Sequence, residues 1–133
     1  MTSYFADTSL FVAFLNARDG HHEPAVEYIR DESSFLLTTD WVLVELGNYL
    51  SKSRTRRRFV PFVRDLRDDP QIEIVPPAGD DFEAALHLYH RRPDKNWSMT
   101  DCISFITMRA RRLTEALTTD HHFTQAGFKV LLK

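Results

Sequence analysis

A single cysteine, Cys102, occurs among the 133 residues. That excludes an intrachain disulfide and fits a reducing compartment. Long apolar runs are missing too. Leu10–Leu15 is far too short to cross a bilayer, and no basic region precedes an apolar segment at the N-terminus. The expectation is a soluble, cytoplasmic protein with no membrane partner. There is also no excess of positive charge. Lys and Arg total 17 against 19 Asp and Glu, a formal charge of −2, with a sequence pI of about 6.3. A uniformly basic surface is therefore excluded, and any contact with nucleic acid has to be local. No repeat, low-complexity tract or interdomain linker interrupts the chain.

What is present suffices for one core. Hydrophobic residues make up 43%, ten of them Phe, and the length suits one domain over residues 1–133. Short apolar runs alternate with helical patterns. Tyr4-Phe5-Ala6, Phe35–Thr38, Ile72–Val75, Glu115–Thr119 and Phe128–Leu132 read as strands. Between them, helical spacing predicts a helix from Thr8, one over His21–Asp31 with Pro24 in its first turn, and one from Trp41 capped by Asp40. Trp41, Val42, Leu46, Tyr49 and Leu50 form the stripe of that third helix. Arg-rich residues 52–58 lead into Phe59–Val63, where Pro61 predicts two short helices or a kink. Pro76-Pro77 closes the third strand, and Asp80 or Asp81 caps a helix with Phe82, Ala85, Leu86 and Tyr89 inward. Ser98 opens a central helix in which Cys102 lies on the apolar stripe, as core rather than nucleophile. His87 and His90 read as surface residues. Gly127 stops a short helix at His121–Ala126. Alternating strands and helices predict a three-layer α/β/α sandwich with a mostly parallel sheet.

Four acids stand out against this frame. Asp7 and Asp120 end strands, and ligands of open α/β sheets bind outside the carboxyl ends of strands. Asp101 opens the central helix, and Glu45 borders an apolar helical face. Capping accounts for three of them singly: Asp7 as an N-cap, Asp101 with Ser98 as a capping box, Asp120 at a helix start. It accounts neither for Glu45 nor for two strand-end acids on one sheet edge. Converging carboxylates need protons or cations to relieve their repulsion. An all-oxygen set suits Mg²⁺ or Mn²⁺, which favour phosphodiester hydrolysis by activated water. Lys52, Arg54, Arg56, Arg57 and Arg58 are candidate phosphate contacts or, equally, a solvated charged face; Arg109 and Arg112 are weaker candidates.

YFADTSLFVAFLN, TTDWVLVELGNYL, SMTDCISFITMRARRL and EALTTDHHFTQAGF resemble, in that order, the four acidic blocks of PIN-domain ribonucleases, and most of all VapC-type toxins of toxin–antitoxin modules. The resemblance covers nearly the whole chain. It implies a sheet of about five strands, Mg²⁺ or Mn²⁺ dependence, and RNA as substrate. Metal-site acids then fall on Asp7, Glu45, Asp101 and Asp120. Ser98 and Thr119 match flanking polar positions, and Thr8 or Ser9 supplies a hydroxyl. His121 and His122 lie in a variable part of the last block and receive no role. A cognate small antitoxin and a homodimer are implied as partners. Against this stand a PIN-like module that binds RNA or protein without cutting, a phosphoacceptor domain built on Asp7, and a structure-selective DNA nuclease. A full set of four acids disfavours the first. A solitary Asp7 and the position of Lys129 inside the last strand disfavour the second, and the short length disfavours the third.

Overall fold

The first strand shows how the sheet is covered. In β1 (Thr2–Ala6) Tyr4 packs edge-on against Tyr28, with ring centres 5.4 Å apart, while Phe5 packs on Phe123 at 6.2 Å. Consecutive side chains of a strand point to opposite faces, so helices must lie on both. The computed structural model describes residues 1–76 and 78–132; Pro77 of the expected Pro76-Pro77 strand end lies outside them, as does Lys133.

After β1 come α1 (Thr8–Leu15), α2 (His22–Arg30), β2 (Ser34–Thr39), α3 (Asp40–Tyr49), α4 (Ser53–Asp68), β3 (Ile72–Val75), α5 (Gly79–Arg91), α6 (Met99–Ala110), β4 (Glu115–Leu117), α7 (His121–Gln125) and β5 (Lys129–Val130). The strands form one sheet in the order β3-β2-β1-β4-β5, and every pairing is parallel. From β1 the chain steps outward to β2 and β3, then returns past β1 to β4 and β5. Right-handed crossovers put the helices of the two excursions on opposite faces. The order reverses beside β1, and a crevice opens there at the carboxyl ends of β1 and β4. The three-layer, parallel reading of the sequence holds, with a sheet wholly parallel among the described strands.

Several local expectations change. α4 runs unbroken through Pro61. Pro61 removes the hydrogen bond to the carbonyl of Arg57, but both residues are exposed, so water replaces it. Thr39, not Asp40, caps α3: its hydroxyl accepts from the Val42 N–H at 3.2 Å, and Asp40 becomes the first helical residue. The buried stripe of α3 is Val42, Leu43, Leu46 and Leu50, whereas Tyr49 is 63% exposed. Neither Asp80 nor Asp81 caps α5. Its N-cap is Ala78, and both acids lie in the first turn, where they complement the helix dipole. The inward positions of α5 are Ala85 and Leu88, one step off the expected stripe, which leaves Leu86 and Tyr89 exposed. Gly127 does end α7, with a φ of +96° that side-chain-bearing residues avoid.

The core gathers on Phe105 of α6. Its ring meets Trp97 and Phe123 edge-on at 5.0 Å and lies 5.7 Å from Phe128. Cys102 is fully buried beside it, and burial pushes its thiol up to about 11. That thiol is a core hydrophobe, not a nucleophile.

Candidate active site at the carboxyl edge of the sheet

β1 ends at Ala6 and α1 begins at Thr8, so Asp7 occupies the N-cap position between them. Its side chain does not act as a cap. Instead Oδ2 accepts a hydrogen bond from Thr118 Oγ1 at 2.8 Å, across the switch point from the end of β4. The Thr118 hydroxyl is in turn 3.1 Å from Ser9 Oγ and accepts the Asp120 N–H at 3.0 Å, while the Thr119 N–H donates to Ser9 Oγ at 3.0 Å. Two strand ends are thereby laced together by hydroxyls. Asp7 is only 5% exposed, and among the described residues it pairs with no cation. Burial pushes its carboxyl up to about 7. The Thr118 and Thr8 hydrogen bonds oppose that rise, and the like charges of Asp101 and Glu45 add to it.

The other three acids surround it. Glu45, half-buried on α3, accepts from Thr8 Oγ1 at 2.5 Å, which joins α3 to the start of α1. Asp101, 8% exposed, forms the capping box foreseen for α6: its N–H donates to Ser98 Oγ and its Oδ2 accepts the Ser98 N–H, both at 3.0 Å. Asp120 caps α7, with Oδ1 accepting the His122 N–H at 2.9 Å. A cleft of about 500 Å³ opens among Asp7, Thr8, Ser9, Glu45, Thr119 and Asp120. All three expected supporting residues, Thr8, Ser98 and Thr119, therefore border the acids.

Two contributors escaped the sequence reading. Thr118, rather than its neighbour Thr119, holds Asp7. Its role rests on a contact 111 residues away in the chain, which no local pattern marks. His122 was given no role, yet its Nδ1 lies 3.0 Å from Asp101 Oδ2 and 3.4 Å from Asp120 Oδ1, bridging the two acids. The basic residues fall elsewhere. Lys52, Arg54, Arg56, Arg57 and Arg58 start α4, all exposed, and none lines the acid cleft. Arg56 Nε donates to the Ser51 carbonyl and Arg58 Nη1 to the Leu15 carbonyl, at the end of α1 remote from Asp7.

The donor set suits a hard divalent ion. A buried carboxylate with raised proton affinity and acidic neighbours is what a bound cation would relieve. Hydrogen bonds occupy one oxygen each of Glu45, Asp101 and Asp120 and leave Oε2, Oδ1 and Oδ2 free among the described residues. The only three metal-capable side chains with ligand atoms all within 4.8 Å of one another, among the described residues, are Asp120, His121 and His122. The four acids are spread more widely: Asp7, Glu45 and Asp120 line the cleft, and Asp101 joins them through His122.

A model of the PIN domain family matches residues 4–129. The chain is 27% identical over 124 residues to the 23S rRNA-specific endonuclease VapC20 of Mycobacterium tuberculosis, covering 93% of this chain and 94% of that protein. The crystal structure of that toxin, described as Sarcin–Ricin loop cleaving, superposes with a TM-score of 0.86 at 26% identity over 98% of this chain and 99% of the other. VapBC2 of Rickettsia felis, solved bound to a DNA fragment from its promoter, shares the fold, with a TM-score of 0.70 at 14% identity and 98% coverage of both chains. The match spans all but the extreme ends of the sequence, and the protein belongs to the PIN-domain family.

Proposed function

We propose that this protein is a divalent-metal-dependent endoribonuclease, the toxin of a toxin–antitoxin pair acting in the cytoplasm. The observation that carries this reading is Asp7: a buried carboxylate without a cation, crowded by acids, at the switch point of a parallel sheet. Asp7, Glu45, Asp101 and Asp120 would hold Mg²⁺ or Mn²⁺. When bound, such an ion lowers the pKa of water and neutralises charge at the leaving oxygen of a phosphodiester. The chain does the positioning. Thr118 fixes the Asp7 carboxylate, Thr8 fixes Glu45, and Ser98 and His122 fix Asp101. The Cys102 thiol is buried in the core, and the Thr8 and Ser9 hydroxyls of the cleft are engaged in hydrogen bonds with Glu45, Thr118 and the Thr119 N–H, so the attacking group is assigned to water. The M. tuberculosis relative's named activity on 23S rRNA supports structured RNA as the substrate class. Lys52, Arg54, Arg56, Arg57 and Arg58 remain candidate long-range phosphate contacts.

A groove of about 770 Å³ between α3 and α4, floored by Leu43, Val44, Phe59, Val60 and Val63, is the surface we assign to protein partners, a small antitoxin or a second copy in a homodimer. The assay is cleavage of structured RNAs by purified protein with Mg²⁺ or Mn²⁺. Cutting that stops in excess EDTA supports the reading. Equal cutting in EDTA overturns the metal, and inactivity on every RNA overturns the enzyme in favour of a binding module.

A further inference from the structure

The α5–α6 connection forms a second cleft, of about 600 Å³, outside the acid site. Tyr89, His90, Arg92, Lys95, Trp97 and Ser98 line it, and no carboxylate does among the described residues. Basic side chains and aromatic rings are thus concentrated in one hollow of a chain with net negative charge. Its position matters as much as its content. Ser98 closes one end, and the Ser98 N–H is the group bound to Asp101 Oδ2. From there a continuous set of contacts leads through His122 to Asp120, in the wall of the acid cleft. Trp97 Nε1 donates to Gln125 Oε1 at 3.0 Å, tying the same loop to α7.

The groups in this cleft are held in place. The Arg92 guanidinium lies 5.2 Å over the Trp97 ring, and its Nε and Nη2 donate to Asp94 at 3.0 Å each. Its Nη1 makes no hydrogen bond among the described residues. Lys95 Nζ is 4.0 Å from Asp94 on a half-buried stem. Tyr89 is 54% exposed, a large ring left out of the core by the register of α5. Single-stranded nucleic acid is gripped by this combination, cations for the backbone and an aromatic face for an unpaired base. An acidic centre repels a polyphosphate, so cations directly beside it offset that repulsion where the strand enters. Of the α4 arginines, Arg58 is anchored at the far end of α1 and Arg56 lines the α3–α4 groove.

Building on the ribonuclease reading, we propose that the α5–α6 cleft binds the single-stranded RNA segment flanking the scissile phosphate. Tyr89 stacks on an unpaired base, and Arg92 and Lys95 contact the backbone.

The test uses a fluorescein-labelled 12-nucleotide single-stranded RNA of mixed sequence, with binding read by anisotropy in EDTA and cleavage read in Mn²⁺. Tyr89→Ala should weaken binding and raise KM by about tenfold, within the range for loss of one base–aromatic stack. Tyr89→Phe should restore both. Lys95→Ala should lower the slope of log Kd against log salt by about 0.7, the value for one lost phosphate contact on a single strand. His87→Ala, on the same helix but outside the cleft, should change neither constant. If the parent binds and cuts RNA while Tyr89→Ala and Lys95→Ala match it in Kd, KM and salt slope, this inference is overturned and the ribonuclease reading stands. A loss confined to kcat also overturns it, because that marks a structural role. A parent that neither binds nor cuts this single strand while cutting a structured RNA overturns this inference alone, and one that binds and cuts neither kind of RNA overturns both.

Discussion

At the amino end of α6, Asp101 does structural work: it completes a capping box with Ser98 and meets His122. At the amino end of α1, Asp7 occupies the N-cap position itself, the place Ser98 takes at α6, and its side chain caps nothing. Its partner is a threonine on another strand, and its carboxyl is pushed up to about 7 by burial. The same residue type at two helix starts, as N-cap in one and third helical residue in the other, is thus useful to the fold at Asp101 and costly at Asp7. A cap explains why Asp101 is tolerated in a buried setting. Nothing in the folding energetics explains Asp7, so its reason lies in what it would bind. The two helix starts can be set against each other by measurement.

Asp7→Asn carries the largest expected effect, and its signs are opposed. Cleavage should fall by more than about a hundredfold, because losing a direct ligand exceeds the ten- to hundredfold typical of losing an outer partner. Stability without metal should rise. The folded carboxyl binds its proton more tightly than the unfolded one, moving from 3.8 to about 7. Asp7 therefore contributes most below pH 4, and the contribution is lost as pH rises to 7 and beyond. Across that window the parent should lose on the order of 4 kcal/mol. Asn has no such titration, so Asp7→Asn should flatten the slope. Denaturant unfolding in EDTA at pH 5 and pH 8 measures it. Equal slopes in parent and variant would mean that Asp7 is not buried as a charge at all.

Metal comes next. Mn²⁺ at about a hundred times Kd should stabilise the parent by roughly 2.7 kcal/mol. Asp7→Asn should lose most of that gain, visible as a smaller Mn²⁺-induced shift in Tm. An identical shift in both proteins would remove Asp7 from the ligand set and return it to the status of an unexplained buried acid.

These experiments bear on what the sequence could show. Parallel strands buried on both faces leave unmistakable apolar runs, so the sheet was legible from Phe5, Leu36-Leu37 and Ala116-Leu117. The acids were legible because strand ends and helix starts are marked locally. Helix faces were less so. On α5 a one-residue shift exchanged Tyr89 for Leu88, and on α3 Tyr49 gave way to Leu43, since several apolar residues competed for one stripe. Pro61 misled because its cost falls when the orphaned carbonyl is exposed. Thr118 and His122 were hidden for another reason. Their roles depend on contacts with Asp7, 111 residues away, and Asp101, 21 residues away, which no local pattern encodes.

His122 sharpens the comparison from the side of Asp101. Its ring touches Asp101 and Asp120 but reaches neither Asp7 nor Glu45 by any hydrogen bond or ion pair among the described residues. His122→Ala should weaken Mn²⁺ binding by about tenfold, as loss of a partner that orients a ligand does. Because His122 is half-buried at the surface, stability in EDTA should change little. Calorimetric titration with Mn²⁺ measures the affinity. An effect as large as that of Asp7→Asn would move His122 into the ligand set with Asp120 and His121.

The smallest effect separates charge from cap at a single helix start. Ser98→Ala removes the hydroxyl that accepts the Asp101 N–H but keeps the Asp101 carboxylate and its bond to the Ser98 backbone. It should cost about 1 kcal/mol of stability, the usual price of losing a serine cap, with or without Mn²⁺. Asp101→Asn does the reverse. An amide oxygen still accepts the Ser98 N–H, so the capping box survives, while the negative charge that acts on Asp7 is gone. That variant should keep most of its stability in EDTA and lose most of the Mn²⁺-induced gain. At α1 no such pair of variants exists, because Asp7 has no cap to lose. If Ser98→Ala also abolished the Mn²⁺ shift, cap and ligand would be one function at Asp101. The contrast between the two helix starts would then be one of degree.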